Sequence, residues 1–173
     1  MDERIIPEFL DAVARLSRET DARIFLVSNQ GQQWIPLKEQ EAVMRHLVDP
    51  VEERGGRIDA VYICTNDKKW TPPEGEENGR KPAPGMLLAA AIDNGDAVDL
   101  ADSYMVGDMT TDIAAGESAH PDVTSVLVKT GYGGKDGKVK IEPDHTSADL
   151  GAAVDWIISR TNQGSAQPTP PQI

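Results

Sequence analysis

The chain has 173 residues, of which 17 are Lys or Arg and 29 are Asp or Glu, so its formal net charge at pH 7 is −12. This acidic balance argues against nucleic acid or an anionic membrane surface as the main partner. The length suits one domain with a real core. The single cysteine, Cys64, excludes an intramolecular disulfide and a Cys-rich metal site, and no apolar run is long enough for a membrane span or a signal peptide. We therefore expect a cytoplasmic protein.

Predicted helices and strands alternate along the sequence. Helical spacing of apolar residues after Pro7 predicts a first helix, and the apolar run 23–28 predicts a buried strand. A second helix is expected from Pro36 to Arg54, ended or bent by Pro50, before a second strand at 59–64. A loop at 65–82 then precedes a helix at 84–94, a strand at 103–107, a short helix, a strand at 124–128 and a last helix opening at 147–150. Residues 1–160 form the predicted core, and the proline-rich segment 161–173 is expected to be disordered.

This alternation predicts an α/β fold with a parallel sheet, right-handed crossovers and helices on both faces. In such sheets the ligand lies beyond the carboxyl ends of the strands. Three segments fall at those ends: 28–30, the loop reaching 80–82, and 107–112. The candidate functional residues come from these segments.

Asp108 and Asp112 lie four residues apart, across a strand end and the start of a helix. Their carboxylates suit a hard cation such as Mg²⁺. They equally suit a helix start, with one Asp at the N-cap and one in the first turn. Gly107 favours the ligand interpretation slightly, because it lets a ligand approach the backbone.

Ser28, Asn29 and Lys81 are candidates for holding a phosphate. A hydroxyl and backbone N–H groups at 28–30 suit phosphate oxygens, although the same residues are typical of ordinary turns. Lys81 could neutralise a phosphate or be a solvated surface lysine. The three histidines show no metal-ligand spacing and are interpreted as structural or exposed: His46, His120 and His145.

The order of these motifs resembles one family. LVSNQ, GRKPAPGMLLAA, SYMVGDMTTDIAAG, a valine-rich strand and TGYG, within residues 5–160, resemble the haloacid dehalogenase (HAD) superfamily of phosphohydrolases, in the group of histidinol-phosphate and heptose-bisphosphate phosphatases. The resemblance implies a Rossmann-like three-layer sandwich. It also implies that Ser28 binds the phosphoryl group and Lys81 balances its charge. By the same resemblance Asp108 is a magnesium ligand and Asp112 its acidic neighbour.

The sequence departs from this family in two places. The family begins with a central strand ending in AspXxxAsp, whose aspartates are nucleophile and acid/base, and the chain contains no such motif. We therefore expect a sheet without its first, central strand, weak Mg²⁺ binding, no significant turnover and self-association through the open gap. The second departure is the zinc loop of relatives, since residues 65–80 contain neither Cys nor His and no zinc is expected.

Three interpretations of the function follow. The first is a Mg²⁺-dependent phosphatase for a small phosphorylated metabolite, such as a sugar phosphate or histidinol phosphate, inactive as this chain because the nucleophile is absent. The second is a degenerate, non-catalytic HAD-like interaction domain. The third is a polynucleotide 3′-phosphatase, which the acidic composition disfavours.

Overall fold

The computed structural model describes residues 7–29, 45–46, 48–64 and 79–164 of the chain, without the side chains of 162–164. The elements are α1 (Pro7–Glu19), β1 (Phe25–Asn29), β2 (Ala60–Cys64), α2 (Gly85–Asn94), β3 (Tyr104–Gly107), α3 (Thr110–Ala119), β4 (Thr124–Val128), β5 (His145–Ser147) and α4 (Leu150–Gly164). Short 3₁₀ turns at Gly95–Ala97 and Leu100–Asp102 join α2 to β3. No helix in the described part of the chain is long and apolar enough to cross a membrane.

All the described strands pair in parallel, but they form two ladders. β1 pairs with β2, while β4 lies between β3 and β5. Between these ladders, β1 and β3 have no strand-to-strand pairing in the described residues. The predicted parallel α/β architecture is confirmed, and the expected absence of a central strand between β1 and β3 remains a prediction.

Side chains alternate between the two faces of each ladder and create a three-layer arrangement. In β1, Leu26 packs on the cluster that contains α1, whereas Val27 packs on the cluster of α2 and α3. In β3, Met105 likewise faces α2 and α3, and Tyr104 faces α4. Because both ladders share the α2–α3 cluster, their carboxyl ends lie at one edge of the core. The most buried apolar residues are Ile113, Val51, Val126 and Val154.

Two helix ends and one strand differ from the sequence predictions. The described helical residues 48–52 include Pro50, so this proline does not end the helix, which stops two residues later. The remainder of the helix predicted from Pro36, the loop 65–78 and residues 165–173 lie outside the described residues. α4 continues to Gly164, past the core boundary predicted at 160. β5 was not predicted, because three residues are too few to show strand alternation.

The amino ends of β1 and β2 are joined by one buried carboxylate. Asp59 Oδ2 accepts the Ile24 N–H at 2.7 Å, and Asp59 Oδ1 accepts from Arg23 at 2.9 Å. Burial raises the pKa of Asp59, but the hydrogen bonds from Ile24 and Arg23 and the charge of Arg57 outweigh it, so the net pKa is lowered. Asp59 is therefore ionised in the folded protein at neutral pH.

Candidate active site

Lys81 lies at the carboxyl edge of β1, where two groups hold its ammonium group. Its Nζ donates to the Val27 carbonyl at 2.9 Å and lies 2.7 Å from Asp112 Oδ1. The side chains of Lys81 and Asp112 are only 11% and 6% exposed, so this ion pair is buried. It is held by charge rather than by an aligned hydrogen bond, since Asp112 Oδ1 has no donor in hydrogen-bonding geometry among the described residues. The predicted solvated-lysine alternative is wrong, because a surface lysine would not have its ammonium group buried.

The backbone of Lys81 is fixed by Asn29. The Asn29 Nδ2 donates to the Lys81 carbonyl at 2.9 Å, and the Lys81 N–H donates to Asn29 Oδ1 at 3.0 Å. The side-chain amide of Asn29 thus pairs its donor and its acceptor with the backbone carbonyl and N–H of a single residue. The Asn29 side chain is thus engaged in holding Lys81, and the phosphate contact expected of Asn29 remains a prediction.

Ser28 lies between the two β1 residues that contact Lys81. It stands in register with Ile63 of β2, at the carboxyl end of the strand. The structure therefore brings Ser28, Asn29 and Lys81 together at the predicted edge of the sheet.

Asp112 occupies the first turn of α3, where both of its oxygens are engaged. Its Oδ2 accepts the Met109 N–H at 3.0 Å, which satisfies one of the unpaired donors at the helix start. Its Oδ1 faces Lys81. A Cβ placed on Gly107 would lie 2.3 Å from Asp112 Oδ2, so the glycine makes room for this carboxylate. Asp112, predicted as a metal ligand, here caps a helix and pairs with the lysine.

Asp108 follows β3 and is held by a loop that sequence reasoning did not select. Its Oδ2 accepts the Tyr132 N–H at 2.8 Å, and its carbonyl accepts the Gly134 N–H at 2.8 Å. A Cβ on Gly131 would lie 2.1 Å from the same Oδ2, so only glycine allows this approach. The repeated glycines of TGYGG after β4 are the signal that marks this contact.

Asp136 also fixes the start of α3 and was not predicted. Its two oxygens accept the Thr110 N–H and hydroxyl, each at 2.8 Å. Burial raises the pKa of Asp136, but these hydrogen bonds from Thr110 outweigh it and lower the pKa overall. Asp112 and Asp136 together hold the helix whose first turn faces Lys81.

The described residues do not by themselves complete a magnesium site. Mg²⁺ prefers octahedral oxygen coordination. Asp108 Oδ1 has no partner in the described part of the chain, but Asp112 is committed to Lys81 and Met109. No group of three His, Cys, Asp or Glu among the described residues is arranged to hold a metal. Of the two predicted ligands, only Asp108 keeps a carboxylate oxygen without a partner in the described part of the chain.

The structure shows the surroundings of the three histidines, which were predicted to be structural or exposed. His145 stacks on Trp156, with ring centroids 4.0 Å apart and an interplanar angle of 3°. His120 follows α3 and accepts the Asp122 N–H at 3.2 Å, while His46 is exposed. None of the three contacts Lys81 or Asp108 in the described residues.

Comparison with known proteins identifies the family of this chain. Residues 78–153 match a family described as HAD-hydrolase-like. D-glycero-D-manno-heptose-1,7-bisphosphate 7-phosphatase from Thermosynechococcus vestitus is 35% identical over 90% of this chain and 84% of its own length. The D-glycero-beta-D-manno-heptose-1,7-bisphosphate 7-phosphatase of Escherichia coli K12 is 35% identical over 88% of this chain and 76% of its own length.

A solved structure extends the similarity to the fold. D,D-heptose 1,7-bisphosphate phosphatase from B. bronchiseptica, complexed with magnesium and phosphate, superposes with a TM-score of 0.70 and 27% identity, covering 90% of this chain and 84% of that one. Sequence and fold similarity therefore agree: the chain belongs to the HAD superfamily of phosphatases, in the family of the heptose-bisphosphate phosphatases.

Proposed function

We propose that this chain has the phosphate site of a Mg²⁺-dependent phosphatase. The ligand that we expect it to bind there is a sugar bisphosphate of the heptose 1,7-bisphosphate class. The observation that carries this proposal is the position of Lys81. An ammonium group has three N–H donors. One bonds the Val27 carbonyl, and Asp112 balances the charge without accepting an aligned hydrogen bond. In the described part of the chain the ammonium group therefore keeps donor capacity for a phosphate oxygen, at the sheet edge where ligands of parallel α/β folds bind.

The remaining site residues have complementary roles in this proposal. The Ser28 hydroxyl orients the phosphoryl group, and the N–H groups at the end of β1 add donors to its oxygens. Asn29 acts through Lys81, whose backbone it holds at 2.9 and 3.0 Å. Asp112 holds the ammonium group in place through the buried ion pair at 2.7 Å.

Magnesium, when bound, would neutralise charge on the phosphate and the group that attacks it. Asp108 is the residue that would hold it, through the carboxylate oxygen that Tyr132 leaves open. A single described carboxylate leaves most of the coordination shell to water, so we expect affinity in the millimolar range or weaker.

The nucleophile of the family reaction is not found in this sequence, which has no AspXxxAsp motif. Cys64 is no substitute, because burial raises the pKa of its thiol and so disfavours the nucleophilic thiolate. We therefore expect phosphate binding without significant turnover from these 173 residues. The same absence favours the second candidate function, a non-catalytic interaction domain that keeps the phosphate site. The edges of β1 and β3 that face each other would then be available for self-association.

The relatives support a heptose bisphosphate rather than histidinol phosphate as the ligand class. The polynucleotide alternative stays disfavoured by the net charge of −12. The cytoplasmic location expected from the single cysteine also remains a prediction.

Calorimetric titration of the 173-residue chain tests the proposal. We expect D-glycero-D-manno-heptose 1,7-bisphosphate to bind at least about tenfold more tightly than histidinol phosphate, a difference of one good charged contact. A preference for histidinol phosphate, or binding of neither ligand, would contradict the proposed function.

A further inference from the structure

A cationic segment follows β4, in a chain that is otherwise strongly acidic. Residues 129–140, here called the lysine-rich loop, contain four lysines and one aspartate, a net charge of +3 against −12 for the whole chain. The lysines are Lys129, Lys135, Lys138 and Lys140, and all four are exposed. None of them forms an ion pair with a carboxylate of the described residues.

This loop is attached to the candidate site at two places. At one end, Tyr132 and Gly134 donate their N–H groups to Asp108, each at 2.8 Å. At the other end, Asp136 accepts two hydrogen bonds from Thr110, and the Val139 N–H donates to the Thr110 hydroxyl at 3.1 Å. The loop therefore lies along the β3–α3 turn, and its positive charge stands beside the carboxyl edge of the sheet.

Tyr132 presents an aromatic ring at the same place. The backbone N–H of Tyr132 donates a hydrogen bond to Asp108, so the base of the side chain is held beside that carboxylate. The residue is 59% exposed. Its carbonyl accepts the Lys135 N–H at 3.0 Å, so the backbone on both sides of the ring is fixed. An exposed ring on a fixed backbone loses little conformational entropy when it packs against a ligand.

We propose that the lysine-rich loop determines substrate specificity, with Tyr132 packing against the sugar ring and the lysines binding the second phosphate of a bisphosphate. This inference rests on the proposed function, because it needs the first phosphate at Lys81. The chain as a whole repels an anionic ligand, because its net charge is −12. Near the lysine-rich loop the local charge is positive, so the loop attracts such a ligand.

Two sets of variants separate the loop from the phosphate site. The double variant Lys135→Gln/Lys138→Gln removes the charges on either side of the anchored Asp136. Tyr132→Ala removes the ring but keeps the N–H that Asp108 accepts, and Tyr132→Phe keeps the ring. Arg45→Gln/Arg160→Gln is the matched control, since it lowers the net charge equally at two exposed positions outside the loop.

The measurement is calorimetric affinity for D-glycero-D-manno-heptose 1,7-bisphosphate and for inorganic phosphate, with folding checked by circular dichroism. We expect Lys135→Gln/Lys138→Gln and Tyr132→Ala each to weaken bisphosphate binding about tenfold and phosphate binding less than twofold. Tyr132→Phe and the arginine control should change both affinities less than twofold.

The outcomes distinguish this inference from the proposed function. Equal losses for both ligands in the loop variants, or no loss for either, would overturn the loop's role while leaving phosphate binding at Lys81 intact. A loss of equal size in the arginine control would also overturn it, because net charge alone would then explain the effect. A wild-type chain that binds neither ligand would contradict the inference and the proposed function together.

Discussion

Lys81 Nζ lies 2.7 Å from Asp112 Oδ1, and this contact connects the two strand ladders of the protein. Lys81 also bonds β1 through Val27, whereas Asp112 belongs to the helix that follows β3. Because no ladder hydrogen bonds join β1 to β3 in the described residues, the ion pair is the polar link between the two halves that the structure shows at this edge. The residue that we expect to bind phosphate thus also contributes to stability.

Removing one partner of this pair should destabilise the protein strongly. Asp112→Ala leaves a buried ammonium uncompensated and an unbonded Met109 N–H, so we expect a loss of about 3 to 5 kcal/mol in the free energy of unfolding. Asp11→Ala is the control, since its ion pair with Arg54 is exposed and should contribute about 0 to 1 kcal/mol. Urea unfolding measures both values, and a cost below about 1 kcal/mol for Asp112→Ala would show that the pair is not buried as described.

Gly131 should be required for the position of Asp108. Gly131→Ala introduces a Cβ into a backbone with φ of +64°, at 2.1 Å from Asp108 Oδ2. Gly55→Ala has the same kind of strain, with φ of +72°, but meets nothing within 4 Å. Both substitutions should cost about 1 kcal/mol for the backbone strain, and only Gly131→Ala should cost more and weaken Mg²⁺-dependent phosphate binding. Thermal melts and phosphate titrations check this, and equal behaviour of the two variants would contradict the proposed role of the loop contact.

Stability should fall in acid through Asp59. Its folded pKa lies below the unfolded value, so its stabilising contribution is fully present above the unfolded pKa of about 4 and is lost as pH falls through the folded pKa. Asp59→Asn should therefore lower the urea midpoint at pH 7, and this difference should shrink as the pH falls from 7 to below 4. A constant difference between wild type and variant across this range would contradict the assignment.

Much of the fold could be predicted, because the core strands are short apolar runs with clear boundaries. The residues 23–28 and 124–128 are examples, and the structure places strands at Phe25–Asn29 and Thr124–Val128. Lys81 was harder to interpret, since its burial depends on Val27 and Asp112, which are distant in sequence. Asp112 meets Lys81, and Tyr132 meets Asp108, only when distant parts of the chain fold together. Local sequence patterns do not encode which carboxylate faces a lysine and which remains open.

Turnover should depend on an aspartate nucleophile that this sequence does not contain. We expect the 173-residue chain to release no significant phosphate from the heptose bisphosphate with Mg²⁺, and a form extended by an apolar strand ending in AspXxxAsp to do so. Phosphate release is the assay, with Asp→Asn at the first aspartate of the added motif as the control. Turnover by the unextended chain that survives mutation of Asp2 and Asp11 would show that another nucleophile exists.

The central claim, that Lys81 binds the phosphate group, is tested most directly by calorimetric titration of inorganic phosphate into the wild type and Lys81→Met. Because Lys81→Met also leaves Asp112 unpaired, Lys81→Met/Asp112→Leu provides a second form in which no buried charge is left alone. We predict that both variants weaken phosphate binding at least about tenfold while remaining folded by circular dichroism. Phosphate affinity within twofold of wild type in either folded variant would contradict the claim.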